Sequence, residues 1–244
     1  MGSSLIEFEE APHQLLGKNL STIRETVLSL GYVLFRGTDI SDKNLEYYCS
    51  RIGLPYTGSV FTIDVRFVRE SRARALSLRK LEPHNECAYE PIGPSFVVLG
   101  CQDPGSRGGD FYLIDSQDVI DRLGSRFLEM ARRIIFKVRS PRTGAVTTRC
   151  LLVGHPLIKG FEVLKYSSIG SDDGSQAKYE PVNSSNYESE LLIERLNRVL
   201  SEPVIHRIHH WRKGDLVIFD NYRMLHGRYA YAGESRRLSH VRLR

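Results

Sequence analysis

His84 and Glu86 stand one residue apart, and the third residue that best completes them, His226, lies far along the chain in the run Asp220-Asn221-Tyr222-Arg223-Met224-Leu225-His226-Gly227-Arg228. If the three are to meet, the fold must lay a segment from the middle of the chain against one from near its end. Side chains at i and i+2 of a strand share a face, so His84 and Glu86 can both point into a barrel, with Pro83 holding the segment extended. His226 then arrives from a distant strand. Two imidazoles and one carboxylate form the facial set that leaves open positions on a non-haem Fe(II). Alone, an H-x-E triplet among eight histidines is weak evidence. The motif around His226 and the basic pair Arg236-Arg237 strengthen it, because an arginine there supplies the cation that a 2-oxoacid co-substrate needs.

The rest of the chain agrees with a mainly β architecture carrying flanking helices. Apolar spacing predicts a helix over 20–30, capped by Ser21 or Thr22 and ended by Gly31, then a strand over 32–36 and a second helix over 42–52. From about Ala75 onward, short strands are divided by Gly, Pro and Asp: 95–101, 111–114, 134–138, 204–209, 216–219 and 238–243. Such spacing argues for a sandwich or barrel. Helices are expected over 117–132, broken near Gly124, and over 187–200. The segment 166–181 is rich in Ser, Gly and Asp and reads as a lid loop.

Composition bounds the answer without naming it. At 244 residues with 41% apolar content, the chain suits a single globular domain over 1–244. No run approaches the ~18 apolar residues of a membrane helix, and no secretory signal is visible. Four cysteines without a C-x-x-C pair argue against a structural zinc site and fit a cytoplasmic protein. A net charge of +5 is read as surface arginine plus a cavity for carboxylates. A partner of nucleic acid is not expected, since no aromatic-interleaved basic stripe occurs. The partner expected is a small molecule, and a homo-oligomer is left open.

Several segments, in order along most of the chain, resemble the taurine dioxygenase / clavaminate synthase-like family of Fe(II)- and 2-oxoglutarate-dependent oxygenases. They are Gly31 to Gly37, His84 to Pro91, Gly108-Gly109-Asp110, Trp211 to Asn221, Leu225 to Arg228 and Arg236 to His240. The resemblance implies a double-stranded β-helix (jelly roll) and three bound reactants: Fe(II), 2-oxoglutarate and O2. It makes His84, Glu86 and His226 the metal ligands and Arg237 the partner of the distal 2-oxoglutarate carboxylate. The activity implied is oxidation of a C–H bond in a small polar metabolite, an amino acid or derivative, by hydroxylation, desaturation or cyclisation, with release of succinate and CO2. An intact carboxylate at Glu86 argues against halogenation.

Two positions depart from the family pattern. Phe111 stands where a Thr often helps hold the co-substrate, and Ser239 is expected to compensate. Val241 stands where sulfonate-using members carry a further arginine, which argues against taurine; Arg242 falls on the face opposite Val241. Substrate contacts are expected from Tyr89, Glu90, Arg74 and Arg228. His206, His209 and His210 are read as core or surface histidines, and His155 and His240 as packing or supporting groups. Phe111 also favours an alternative, a non-catalytic jelly-roll protein that binds a metal or a small acid.

Overall fold

A computed structural model of the chain describes residues 7–8, 20–56, 63–66, 78–105, 107–139, 144–167, 178–233 and 235–244. Its strands and helices follow in order: β1 (Glu7–Phe8), α1 (Leu20–Leu30), β2 (Tyr32–Phe35), α2 (Asp42–Ile52), β3 (Ile63–Arg66), β4 (Leu81–His84), β5 (Phe96–Asp103), β6 (Arg107–Gly108) and β7 (Phe111–Asp115). Then come α3 (Ser116–Leu123), α4 (Ser125–Arg133), β8 (Phe136–Arg139), β9 (Val146–Arg149), β10 (Leu152–Gly154), β11 (Glu162–Leu164), β12 (Lys178–Pro181) and α5 (Asn186–Leu200). The chain closes with β13 (Arg207–His209), β14 (Leu216–Asp220), β15 (Met224–Arg228), β16 (Tyr231–Ala232) and β17 (Arg237–Leu243). No helix among the described residues is long and apolar enough to cross a membrane.

Two sheets carry the architecture, a six-stranded one in the order β1-β2-β14-β5-β17-β3 and a four-stranded one in the order β13-β7-β15-β4. Strand alternation sorts the side chains into layers. Val33, Phe35, Phe96, Val98, Leu216, Ile218, Val241 and Leu243 turn outward into a core shared with α1 and α2. Their neighbours Tyr32, Leu34, Val97, Leu99, Val217, Phe219 and Leu238 turn inward and meet Phe111, Leu113 and Met224 of the opposite sheet. Tyr112, Ile114 and Leu225, on the far side of the four-stranded sheet, pack against α3, α4 and α5. Burial on both faces explains why these strands read as unbroken apolar runs. Among the described strands the sheets are antiparallel apart from the β1–β2 pair.

Gly31 shows how tightly the layers are joined. It ends α1 with its N–H bonded to the Val27 carbonyl at 2.7 Å and has φ of +89°, a conformation that favours glycine. A Cβ there would also strike the Met224 sulfur.

Four expectations change. α1 begins at Leu20, so Ser21 and Thr22 sit in its first turn rather than at its cap. The stretch 204–209 is not one strand, because Pro203 opens a 3-10 turn over Pro203–Ile205 before β13. Leu81–His84 and Met224–Arg228 are the strands expected to carry His84 and His226, but the first ends at His84, so Glu86 lies beyond it rather than two residues along it. The segment 166–181 is not all loop: Tyr166 is buried, Ser167 forms a backbone bridge to His84, and Lys178–Pro181 pairs with β8. Its middle, 168–177, lies outside the described residues.

Candidate metal centre

His84 ends β4, and His226 lies directly opposite it on β15. Their ring centroids are 4.1 Å apart. Glu86 does not extend the strand. It opens a turn over 86–89, and from there its Oε2 lies 3.9 Å from His84 Nε2 and 4.0 Å from His226 Nε2. All three ligand atoms fall within 4.8 Å of one another. The strand-alternation argument therefore accounts for His84, whereas a turn brings Glu86 to the same point.

That turn is held from several sides. The Glu86 N–H donates to Asn221 Oδ1 at 2.7 Å, and Asn221 Nδ2 donates to the carbonyls of Glu86 (3.0 Å) and Pro94 (2.9 Å). Asn85 points away from the ligands. Its amide donates to the Asn221 carbonyl at 2.9 Å and accepts from the Tyr166 N–H at 2.8 Å. Arg149 donates to the Ala88 carbonyl at 2.7 Å, and Lys165 to the carbonyls of Glu90 and Pro91 at 2.6 and 2.9 Å. Burial pulls the Lys165 pKa down to about 8. With these ties the turn keeps Cys87 at φ of +54°, a left-handed conformation uncommon outside glycine.

The histidines are prepared to bind metal. His84 Nδ1 donates to the Glu82 carbonyl at 2.8 Å, which leaves the Nε2 lone pair facing Glu86. Burial, then the neighbouring His84 and His240, push the His226 pKa well below the ordinary imidazole value. A neutral imidazole is the form that ligates. Gly227 beside it carries no side chain because a Cβ there would collide with the Tyr112 ring end and the Leu81 carbonyl.

A cavity of about 110 Å³ opens beside the three ligands. Leu81, Leu99, Phe111 and Leu238 make its apolar wall, and Arg228, Arg236 and His240 its polar one. Both arginines are buried and lie over the Tyr231 ring, 4.6 and 5.2 Å from its centroid. Burial lowers both pKa values; that of Arg228 falls to about 10, with the Arg236 charge as the next cause. Arg236 Nε is buried with no hydrogen-bond acceptor among the described residues. Two guanidiniums pressed together in a dry pocket make a cradle for a carboxylate.

The model of the taurine catabolism dioxygenase TauD, TfdA family matches residues 8–242. The chain belongs to this family. Among curated relatives, it is 27% identical to the tyrosine isonitrile desaturase of Erwinia amylovora over 237 residues, which is 90% of this chain and 78% of that protein. It is 24% identical over 216 residues to the 3-((Z)-2-isocyanoethenyl)-1H-indole synthase of Fischerella ambigua, which is 84% of this chain and 78% of that one. The fold is shared with the crystal structure of PvcB from Pseudomonas aeruginosa at a TM-score of 0.74 and 22% identity, covering 94% of this chain and 81% of that chain. Membership of the TauD/TfdA dioxygenases leaves the non-catalytic reading without support.

Within this TauD/TfdA chain, the structure puts Arg236 rather than Arg237 or Ser239 on the cavity. Arg237 is exposed and pairs across β17 with Asp103 and Arg66, outside the cavity. The pairing of β17 with β5 skips Gln102 on β5, while β17 itself keeps a regular alternation through the basic pair. Arg236, Leu238 and His240 turn inward; Arg237, Ser239 and Val241 turn outward. Ser239 is buried on that outer side, where its hydroxyl accepts from Gln102 Nε2 at 2.9 Å. It cannot make up for Phe111, which lines the cavity without a polar atom.

The substrate candidates divide similarly. Arg228 lines the cavity, while Tyr89 packs on the helical core and Glu90 belongs to the clamped turn. Arg74 lies outside the described residues. Two inward residues of β17 were given no substrate or metal role from the sequence: His240, which lines the cavity, and Arg242, whose Nη1 lies 3.3 Å from Glu86 Oε1. Val241 facing the outer core would have signalled both.

The remaining described histidines are structural. His206 stacks on Tyr112 at 4.5 Å, accepts from the Tyr229 hydroxyl and donates to the Leu200 carbonyl. His155 donates to Asp220 at 2.8 Å beneath the 220–223 turn. His209 faces Asp215, and exposed His210 faces Asp110.

Proposed function

We propose that this chain is an Fe(II)- and 2-oxoglutarate-dependent oxygenase that oxidises a C–H bond of a small amino-acid-derived metabolite, with desaturation as the favoured outcome. The observation that carries the proposal is one cavity that joins His84, Glu86 and His226 to the buried Arg228–Arg236 pair. His84, Glu86 and His226 would hold the metal. Arg236, with Arg228 beside it, would take the distal carboxylate of 2-oxoglutarate. Fe(II) held there would, with 2-oxoglutarate and O2 as co-substrates, supply the oxidising power, with succinate and CO2 as co-products.

The protein's own part is to bind, orient and exclude water. Leu81, Leu99, Phe111 and Leu238 keep the cavity dry, which strengthens every ionic contact made inside it. By their names, one curated relative desaturates a tyrosine isonitrile and the other makes an isocyanoethenyl indole, and this supports desaturation over hydroxylation or ring closure. The two facing sheets would be the halves of a double-stranded β-helix forming a single domain.

The test begins without oxygen. Fe(II) and 2-oxoglutarate added to the metal-free protein should give the weak visible charge-transfer band of chelated 2-oxoglutarate. Succinate release should then rise with an amino-acid-derived isonitrile, and His84→Ala or Glu86→Ala should abolish it while the fold is retained. Full turnover in either variant would overturn the metal assignment.

A further inference from the structure

The two oxygens of the Glu86 carboxylate face different partners. Oε2 points at the Nε2 atoms of both histidines, at 3.9 and 4.0 Å. Oε1 points away from them toward Arg242 Nη1, at 3.3 Å. Arg242 comes from the inner face of β17, opposite Val97 of β5, six residues beyond Arg236. At roughly 3.3 Å per residue, about 20 Å of strand separates their Cα atoms, so the two arginines reach the site from opposite ends of β17. Glu86 is the one carboxylate in ion-pair contact with Arg242 among the described residues. Its Nε is buried with no acceptor, and its other contact is Cys87 Sγ at 3.6 Å.

We infer that Arg242 is a positioning residue that holds Glu86 as a one-oxygen ligand. The inference rests on the metal reading above. Glutamate on a turn has three rotatable side-chain bonds, and a carboxylate can bind a cation through one oxygen or both. Occupying Oε1 with a guanidinium leaves only Oε2 for the ion. The protein then fills three positions and keeps three open, which a chelating 2-oxoacid and O2 together require. Partners of this kind fix ligand orientation, and their loss typically costs ~10–100-fold in metal affinity.

Co(II) serves as an air-stable probe, titrated into the metal-free full chain against a chromogenic chelator while its visible d–d spectrum is recorded. Arg242→Met should weaken Co(II) binding ~10–100-fold. It should also change the d–d spectrum, as a second carboxylate oxygen enters. Arg242→Lys, which keeps a donor near Oε1, should recover most of both signals and decides the matter if the Met variant does not fold. Wild-type affinity and spectrum in Arg242→Met would overturn the inference, as would a Lys variant as impaired as the Met one. A folded wild-type chain that binds no Co(II) would instead overturn the metal reading on which the inference stands.

Discussion

Arg236→Met should do two opposite things. Arg236 is buried next to a second buried guanidinium, and its Nε finds no acceptor. Burial, and after it the Arg236 charge, hold the Arg228 pKa down to about 10, so keeping both guanidiniums charged here is unfavourable. Removing the Arg236 charge relieves part of that cost. It also removes an unsatisfied buried donor worth ~1–3 kcal/mol, against the loss of a cation–π contact of ~0.5–2 kcal/mol with Tyr231. The metal-free variant should therefore melt a few degrees above wild type, at ~2–4 °C per kcal/mol for a chain near this size. Binding of 2-oxoglutarate should move the other way. A charge-assisted hydrogen bond contributes ~1.5–3 kcal/mol, so its loss should weaken the co-substrate ~10–150-fold. Thermal melts of the metal-free protein and anaerobic titration of the charge-transfer band give the two readings. Arg237→Met is the control, and it should leave co-substrate binding near wild type. If instead Arg237→Met loses 2-oxoglutarate and Arg236→Met keeps it, the cradle assignment is wrong, together with the strand parity behind it.

Two further outcomes follow from the packing. Burial lowers the His206 pKa below that of the unfolded chain, so above the unfolded value both states are neutral and His206 adds no pH dependence. As pH falls through about 6.5 the unfolded state takes up the proton first and stability is lost; urea melts between pH 7 and 5 should show a shallower fall for His206→Gln, and equal slopes would refute the assignment. Gly227→Ala forces a methyl against Tyr112 and the Leu81 carbonyl, an overpacking cost of ~1–3 kcal/mol or more, so it should lower the Tm by several degrees and weaken Co(II) binding. Unchanged values would mean that Tyr112 yields freely.

Much of the frame was legible because local signals suffice for it. Periodicity gave the limits of α1 and α2 as the structure has them, and Gly124 splits α3 from α4 where the break was expected. The three residues that the structure brings together, His84, Glu86 and His226, were legible as residue types in order, although Glu86 arrives by a turn that Asn221 holds with hydrogen bonds and no i+2 rule describes. The Arg236–Arg237 pair shows the limit. Adjacent residues of a strand face opposite ways, so a one-residue slip in reading the pair exchanges the inward arginine for the outward one. Val241 did carry a usable signal: read as an outward core residue rather than a missing arginine, it would have turned Arg242 toward the site.

Asn221 sits on the turn between β14 and β15, five residues before His226, and its side-chain amide grips both faces of the Glu86 backbone. Two of the three proposed ligands are thus fastened by the polypeptide alone to the one turn that joins β14 of the larger sheet to β15 of the smaller. The ion need not recruit its ligands from a loose chain; it enters a socket whose ordering entropy was spent during folding. Loading and stripping this protein should then be a matter of coordination chemistry, with the chain as well folded after chelation as before.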